Sequence, residues 1–136
     1  MKMKSSILIT LIGITILIPM QQCTDQKSSF HNTLVQVSKE TNKHCPKMID
    51  EYTRFDSTSV VSANILQYYY TIMTDDLALQ DTTNVKDILI KDEANKIRSN
   101  TDLNLLKENK TVFAHLYRDK NGKYSFSYSV TSDMYK

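Results

Sequence analysis

Glycine, proline and cysteine occur only twice each in this chain of 136 residues. So few chain breakers leave no low-complexity tract, and no internal repeat is visible, so one compact domain is expected. Two cysteines are sparse for an exported chain and do not make a disulfide framework. Charge of one sign is also lacking once the N-terminal leader is set aside. Removing residues 1–22 takes away Lys2 and Lys4 and no acidic residue, which leaves 15 basic against 15 acidic side chains. A formally neutral body lacks the clustered Lys and Arg that nucleic acid or an anionic bilayer surface requires. Metal-ligand spacing is missing as well. His31, His44 and His115 lie far apart and form no ligand-spaced pair, and Asp75, Asp76 and Asp81 do not follow a calcium-loop pattern. No cofactor is implied.

No recognisable catalytic constellation is present either. A free Cys45 beside His44 resembles a nucleophile and its base, but sequence neighbours rarely point at each other and no third group orients them. A small residue packed at a helix end is the simpler expectation for Cys45.

The head of the chain is informative. Met-Lys-Met-Lys precedes an apolar run of 14 residues, Ile7 to Met20, too short for a membrane span of about 20 residues and suited to a secretory signal. Cys23 stands where a bacterial lipoprotein is lipidated, although Met20, Gln21 and Gln22 precede it and the signal peptidase favours a small residue there. Lipid attachment at Cys23, ordinary cleavage and an uncleaved anchor all remain open. An acylated Cys23 leaves Cys45 without an internal partner. An unmodified one allows a Cys23 to Cys45 bond closing a loop of about 23 residues, a contribution of about 3 kcal/mol. The expected organisation is a signal peptide over 1–22, a polar tether over 23–29 and a single domain over 30–136.

Within that domain Phe30, Leu34 and Val37 form an i, i+4, i+7 stripe, so a helix is predicted from near Ser29 or Asn32 to before Pro46. Tyr52 to Val61 is a candidate strand, Ser62 to Asn64 a polar break, and Ile65 to Met73 the strongest strand signal, free of Gly, Pro and charge. Alternation sorts Leu66, Tyr68, Tyr70 and Ile72 onto a core face and Gln67 and Tyr69 onto the other. In the preceding strand Phe55 is expected to share a face with Ser57 and Ser59, opposite Arg54 and Asp56. A helix is predicted after Thr83, with Val85, Ile88, Leu89, Asp92 and Ile97 near one face, and a short one follows over Leu103 to Glu108. Thr111 to Tyr117 and Tyr124 to Val130 form a hairpin around Asp119-Lys120-Asn121-Gly122. The predicted fold class is α+β: an N-terminal helix and a four-stranded antiparallel sheet built from two hairpins, with two helices between the hairpins, in a two-layer sandwich. Its open face carries Tyr69 and Gln67, and with Arg54 and Asp56 these make the candidate binding surface.

The pattern Asn42-Lys43, Cys45-Pro46, Asp50, Thr53-Arg54, Asp56, Asn64, Leu66, Tyr68, Tyr70-Thr71, then Tyr117, Asp119 and Asn121-Gly122 resembles a group of small exported bacterial proteins of uncharacterised function. In that group a helix ends at Pro, a Thr-Arg-hydrophobic-Asp element follows, and a Tyr-rich strand comes next. Phe55 stands where the group has Leu, and its further cysteines are missing here after residue 45, so no disulfide carries over. The resemblance implies no activity.

Three functions are consistent with these residues. The first is an exported, membrane-tethered or secreted interaction protein whose partner is an envelope protein, a peptide or a glycan, and which meets the membrane only through its N-terminal anchor. The second is an envelope-polymer hydrolase using Asp50 and Asp56, which requires carboxylates about 5 to 9.5 Å apart across one bond. Against it, Asp56 more simply pairs with Arg54 or Arg118. The third is an inhibitor or immunity protein. Mass spectrometry of the mature N-terminus separates the states of Cys23: a lipoprotein yields an acylated N-terminal Cys23, whereas an unmodified or uncleaved N-terminus removes lipidation.

Overall fold

The computed structural model describes residues 22–74 and 82–136. In chain order these form α1 (Gln22–Asn42), β1 (Lys47–Met48), β2 (Thr53–Ser62), β3 (Ile65–Ile72), α2 (Thr82–Ser99), a 3₁₀ turn (Thr101–Leu103), α3 (Asn104–Glu108), β4 (Val112–Asp119) and β5 (Tyr124–Val130). The apolar head Ile7 to Met20 and the connection holding Asp75, Asp76 and Asp81 lie outside the described residues, as does the side chain of Cys23. Among the described residues no helix is long and apolar enough to cross a membrane.

The class is α+β with the helices gathered on one sheet face, but the sheet differs from the expected one. It has five strands in the order β1-β2-β3-β4-β5, and it is mixed. The two hairpins β2/β3 and β4/β5 are antiparallel, whereas β3 and β4 run parallel, from Ile65 beside Val112 to Ile72 beside Asp119. Element lengths explain the correction. The 18 residues of α2 rise about 27 Å, and the eight residues of β3 extend about 26 Å. One helix therefore carries the chain back along the strand it has left, and β4 starts at the same end as β3. The extra strand, β1, is a two-residue edge pairing of Lys47 with Phe55 and Met48 with Arg54.

A bulge in β2 corrects a second expectation. Phe55 pairs with Tyr70, but the next pair is Ser57 with Tyr69, so one residue is inserted at Asp56. The insertion reverses the alternation. Phe55 is buried on the same face as Thr58 and Val60, while Ser57 and Ser59 join Arg54 on the opposite face.

The main core lies between that face and the helices: Leu34 of α1, Ala94 and Ile97 of α2 and Leu106 of α3 close over Leu66, Phe113 and Val130. Tyr135 completes it from the C-terminal side, its ring edge-on to Phe113 and its hydroxyl donating to the Thr111 carbonyl at 2.7 Å. Arg98 holds that segment down by donating to the carbonyls of Met134 and Lys136. Along α2 the inward stripe is Val85, Leu89, Ala94 and Ile97, whereas Ile88, expected near that face, is 68% exposed.

Beyond Phe55, β1 no longer covers the edge of β2, and α1 takes over. Asn42 accepts from the Thr58 N–H at 2.7 Å and donates to the Thr58 carbonyl at 2.9 Å, so one side-chain amide imitates a neighbouring strand. Ser38 adds a hydroxyl contact of 2.9 Å to Thr58. An edge satisfied in this way is closed to strand addition. Replacing Asn42 by Ala leaves both backbone groups without their partner, at a cost of about 1 to 3 kcal/mol. Chemical denaturation of Asn42→Ala is expected to show that loss, and a change below about 0.5 kcal/mol would remove the amide from this role.

Candidate binding groove

The register of β3, β4 and β5 stacks side chains into three rows. Leu66, Phe113 and Val130 make the first, Tyr68, His115 and Tyr128 the second, and Tyr70, Tyr117 and Phe126 the third, which Phe55 extends onto β2. Ring centroids in the second row are 5.0 and 4.6 Å apart with interplanar angles of 9° and 8°. In the third row they are 4.6 and 4.5 Å apart at 14° and 11°. Rings stacked at the strand spacing stand upright on the sheet and present edges and hydroxyl tips to the helix layer. Each such contact contributes about 0.5 to 1.5 kcal/mol beyond burial.

Above rows two and three the helix layer does not close fully. A cavity of about 470 Å³ remains between α2 and the sheet, floored by Tyr70, His115, Tyr117 and Tyr128 and walled by Leu89 and Glu93. Ile49 and Asp50 rim it from the segment after β1. A second cavity, of about 490 Å³, lies near Phe30, Ala63 and Asn64. There Asn64 is already engaged, donating to the Lys110 carbonyl at 3.2 Å.

The floor of the first cavity is different. His115 is 2% exposed, and neither ring nitrogen has a hydrogen-bond partner. Burial pushes its pKa down from the ordinary value of 6.5 to about 4, so the ring is neutral at pH 7 and one nitrogen is an unused acceptor. The other orphaned atom among the described residues, Thr111 Oγ1, lines neither cavity. Glu93 faces the same floor from α2. Its carboxyl pKa is raised, chiefly by burial and partly offset by Lys96, while Lys96 itself is engaged with Asp92 at 2.6 Å. Glu93 has no ion pair or hydrogen bond among the described residues. Its charge reaches the three floor tyrosines and Tyr68 beside them: burial raises the phenol pKa of Tyr68, Tyr70, Tyr117 and Tyr128, and Glu93 adds to each shift. Tyr117 and Tyr128 also shift each other's phenol pKa, that of Tyr117 downward and that of Tyr128 upward.

The residues singled out in the sequence fall elsewhere. Gln67 and Tyr69 lie on the helix-free face of β3, the Tyr69 hydroxyl 2.9 Å from Ser59. Arg54 and Asp56 meet on that face as well. Arg54 Nε donates to Asp56 at 2.6 Å, and the other carboxylate oxygen accepts from Thr71 at 2.6 Å. Asp50, the partner proposed for Asp56 in hydrolysis, rims the groove on the opposite side of the sheet and accepts from the Tyr52 N–H at 2.8 Å. Cys45 is a free thiol whose pKa burial raises, and its sulfur contacts the Thr41 carbonyl at 3.5 Å. Sequence reasoning missed Glu93. Its signal was a carboxylate at four-residue spacing within Val85, Leu89, Glu93 and Ile97, a charge inside an apolar stripe.

The depressed His115 pKa makes stability depend on pH. Between pH 6.5 and about 4 the unfolded chain binds a proton that the folded chain refuses. Stability present above 6.5 is therefore lost as pH falls through that window, by about 3 kcal/mol in full. Glu93, with its pKa raised, contributes the opposite slope, so the histidine contribution is the difference between wild type and His115→Phe. Denaturation across this range is expected to show wild type losing stability relative to the variant on acidification, and parallel curves would contradict a buried neutral imidazole.

No curated protein matches the sequence. Three solved structures share the fold. A protein from Pseudomonas aeruginosa described as secreted aligns with a TM-score of 0.69 at 14% identity, over 82% of this chain and 96% of its own. The pilotin EpsS of the Vibrio vulnificus type 2 secretion system aligns at 0.66 and 12%, over 83% and 97%. The type II secretion system pilotin AspS from Vibrio cholerae aligns at 0.61 and 9%, over 82% and 97%. The extracytoplasmic location read from the head of the sequence agrees with this company. The family described as Domain of unknown function (DUF8479) matches residues 29–133, and the chain belongs to it.

Proposed function

We propose that the protein is an exported binding module, tethered to a membrane through Cys23, that holds a segment of an envelope protein in the groove between α2 and the sheet. The observation that carries this reading is His115, fully buried at the floor of an open cavity with both ring nitrogens unpartnered. A buried polar group without a partner costs about 1 to 3 kcal/mol, and such a cost is tolerated where a ligand supplies the missing bond. Pilotins share the fold, which supports a polypeptide as the occupant.

The helix-free face has less to offer. Arg54, Asp56, Thr71, Ser59 and Tyr69 already satisfy one another, so a partner there displaces existing bonds. Hydrolysis by Asp50 and Asp56 meets a geometric obstacle, because the two carboxylates lie on opposite faces of the sheet and cannot flank one bond.

Site-specific photocrosslinking in cells tests the choice of face. With p-benzoylphenylalanine at Leu89 in the groove wall, an adduct with an envelope protein is expected, and at Tyr69 on the other face it is not. The reverse pattern transfers binding to the helix-free face and overturns the proposal.

A further inference from the structure

We infer that the groove is built for a polypeptide segment that presents one basic side chain, Lys or Arg, among apolar ones, with the cationic head seated between Glu93 and the floor of tyrosine hydroxyls and His115. This inference rests on the reading of the groove as a polypeptide site and specifies its occupant.

Charge complementarity selects the cation. Glu93 is a half-buried carboxylate without a counter-ion, and the nearest lysine, Lys96, is held by Asp92 at 2.6 Å. Asp50 adds negative charge at the rim, and its field reaches Tyr117. An anionic ligand meets like charge from Glu93 and Asp50, whereas Asp92 and Lys96, which also line the cavity, offset each other. A wholly apolar plug removes water from Glu93 without replacing it and leaves His115 as unpartnered as before. An ammonium or guanidinium head brings several donors to a set of acceptors: the Glu93 carboxylate, the phenol oxygens and one nitrogen of neutral His115. Because the floor rings stand edge-on, their faces are taken up by stacking on one another. Recognition is by charged hydrogen bonds and not by an aromatic box around the cation. The apolar walls, Leu89 and Ile72 among them, take the flanking side chains.

The probe is a set of 12-residue peptides selected by display on the mature protein. Selected peptides are expected to carry a Lys or Arg flanked by apolar residues, and to lose binding to a Leu89→Trp variant in which the groove is filled. For one such peptide, Glu93→Gln is expected to weaken binding at least 10-fold. The same peptide with Lys replaced by norleucine is expected to bind wild type and Glu93→Gln equally, which separates charge pairing from any loss of fold. Groove-directed peptides that lack a basic residue, or a basic peptide indifferent to Glu93→Gln, overturn the basic anchor and leave the groove reading intact. Binders indifferent to Leu89→Trp, or concentration-dependent crosslinking of the protein to itself through Leu89 without any peptide, overturn the groove reading as well.

Discussion

The parallel pairing of β3 with β4 is the constraint on which the molecule depends. It places Tyr68 beside His115 and Tyr70 beside Tyr117, and the β4/β5 hairpin then continues both rows to Tyr128 and Phe126. Slipping that register by one residue turns one strand's whole set of side chains to the other face and opposes Tyr68 to Ala114 or Leu116. The rings would lose their stack and the main core would lose the row formed by Leu66, Phe113 and Val130. α2 enforces the pairing because its length matches the strand it crosses, and its Ala94 and Ile97 are buried against the core row.

The same stack explains why a groove exists at all. Upright rings bury their faces against one another and leave polar tips at the top, a surface that apolar helix side chains cannot seal without stranding hydroxyls. α2 meets it with Val85 and Leu89 near one end and Ala94 and Ile97 near the other. Glu93 falls between these two apolar pairs, opposite the hydroxyls. A neutral imidazole without partners and a carboxylate short of solvent are both held there at a cost. The helix-free face follows the opposite logic. Its bulge at Asp56 brings Arg54 and Thr71 into one closed network, and the edge of β2 is closed by Asn42. The helix-free side is tied up in its own bonds, and the helix side is left open above the second and third rows.

Much of this was legible residue by residue. Period-two alternation assigned Leu66, Tyr68, Tyr70 and Ile72 to the core, and the stripe of Phe30, Leu34 and Val37 oriented α1, because burial of apolar area acts locally on every element. The Asp119-Lys120-Asn121-Gly122 turn was legible for a local reason too. Asp119 accepts from the N–H groups of Asn121 and Lys123, and Gly122 takes a φ of +81°, a conformation that L side chains avoid. Alternation could not register the bulge at Asp56, since an inserted residue changes parity without changing composition. Nor could it choose between parallel and antiparallel partners for β3, because the same side chains face the core in either direction.

The sequence by itself determined most of the elements and most of their inward faces, since each follows from short-range spacing of apolar, polar and turn-forming residues; it did not reach the two-residue β1 or the start of α1 at Gln22, seven residues ahead of the expected Ser29. The tertiary structure alone decided which strands are neighbours, and with that which polar groups go unanswered. His115 reads as an ordinary strand residue and Glu93 as an ordinary helix residue until a parallel crossover brings both to one cavity. Partnership between groups distant in the chain is a property of packing, and no local pattern carries it.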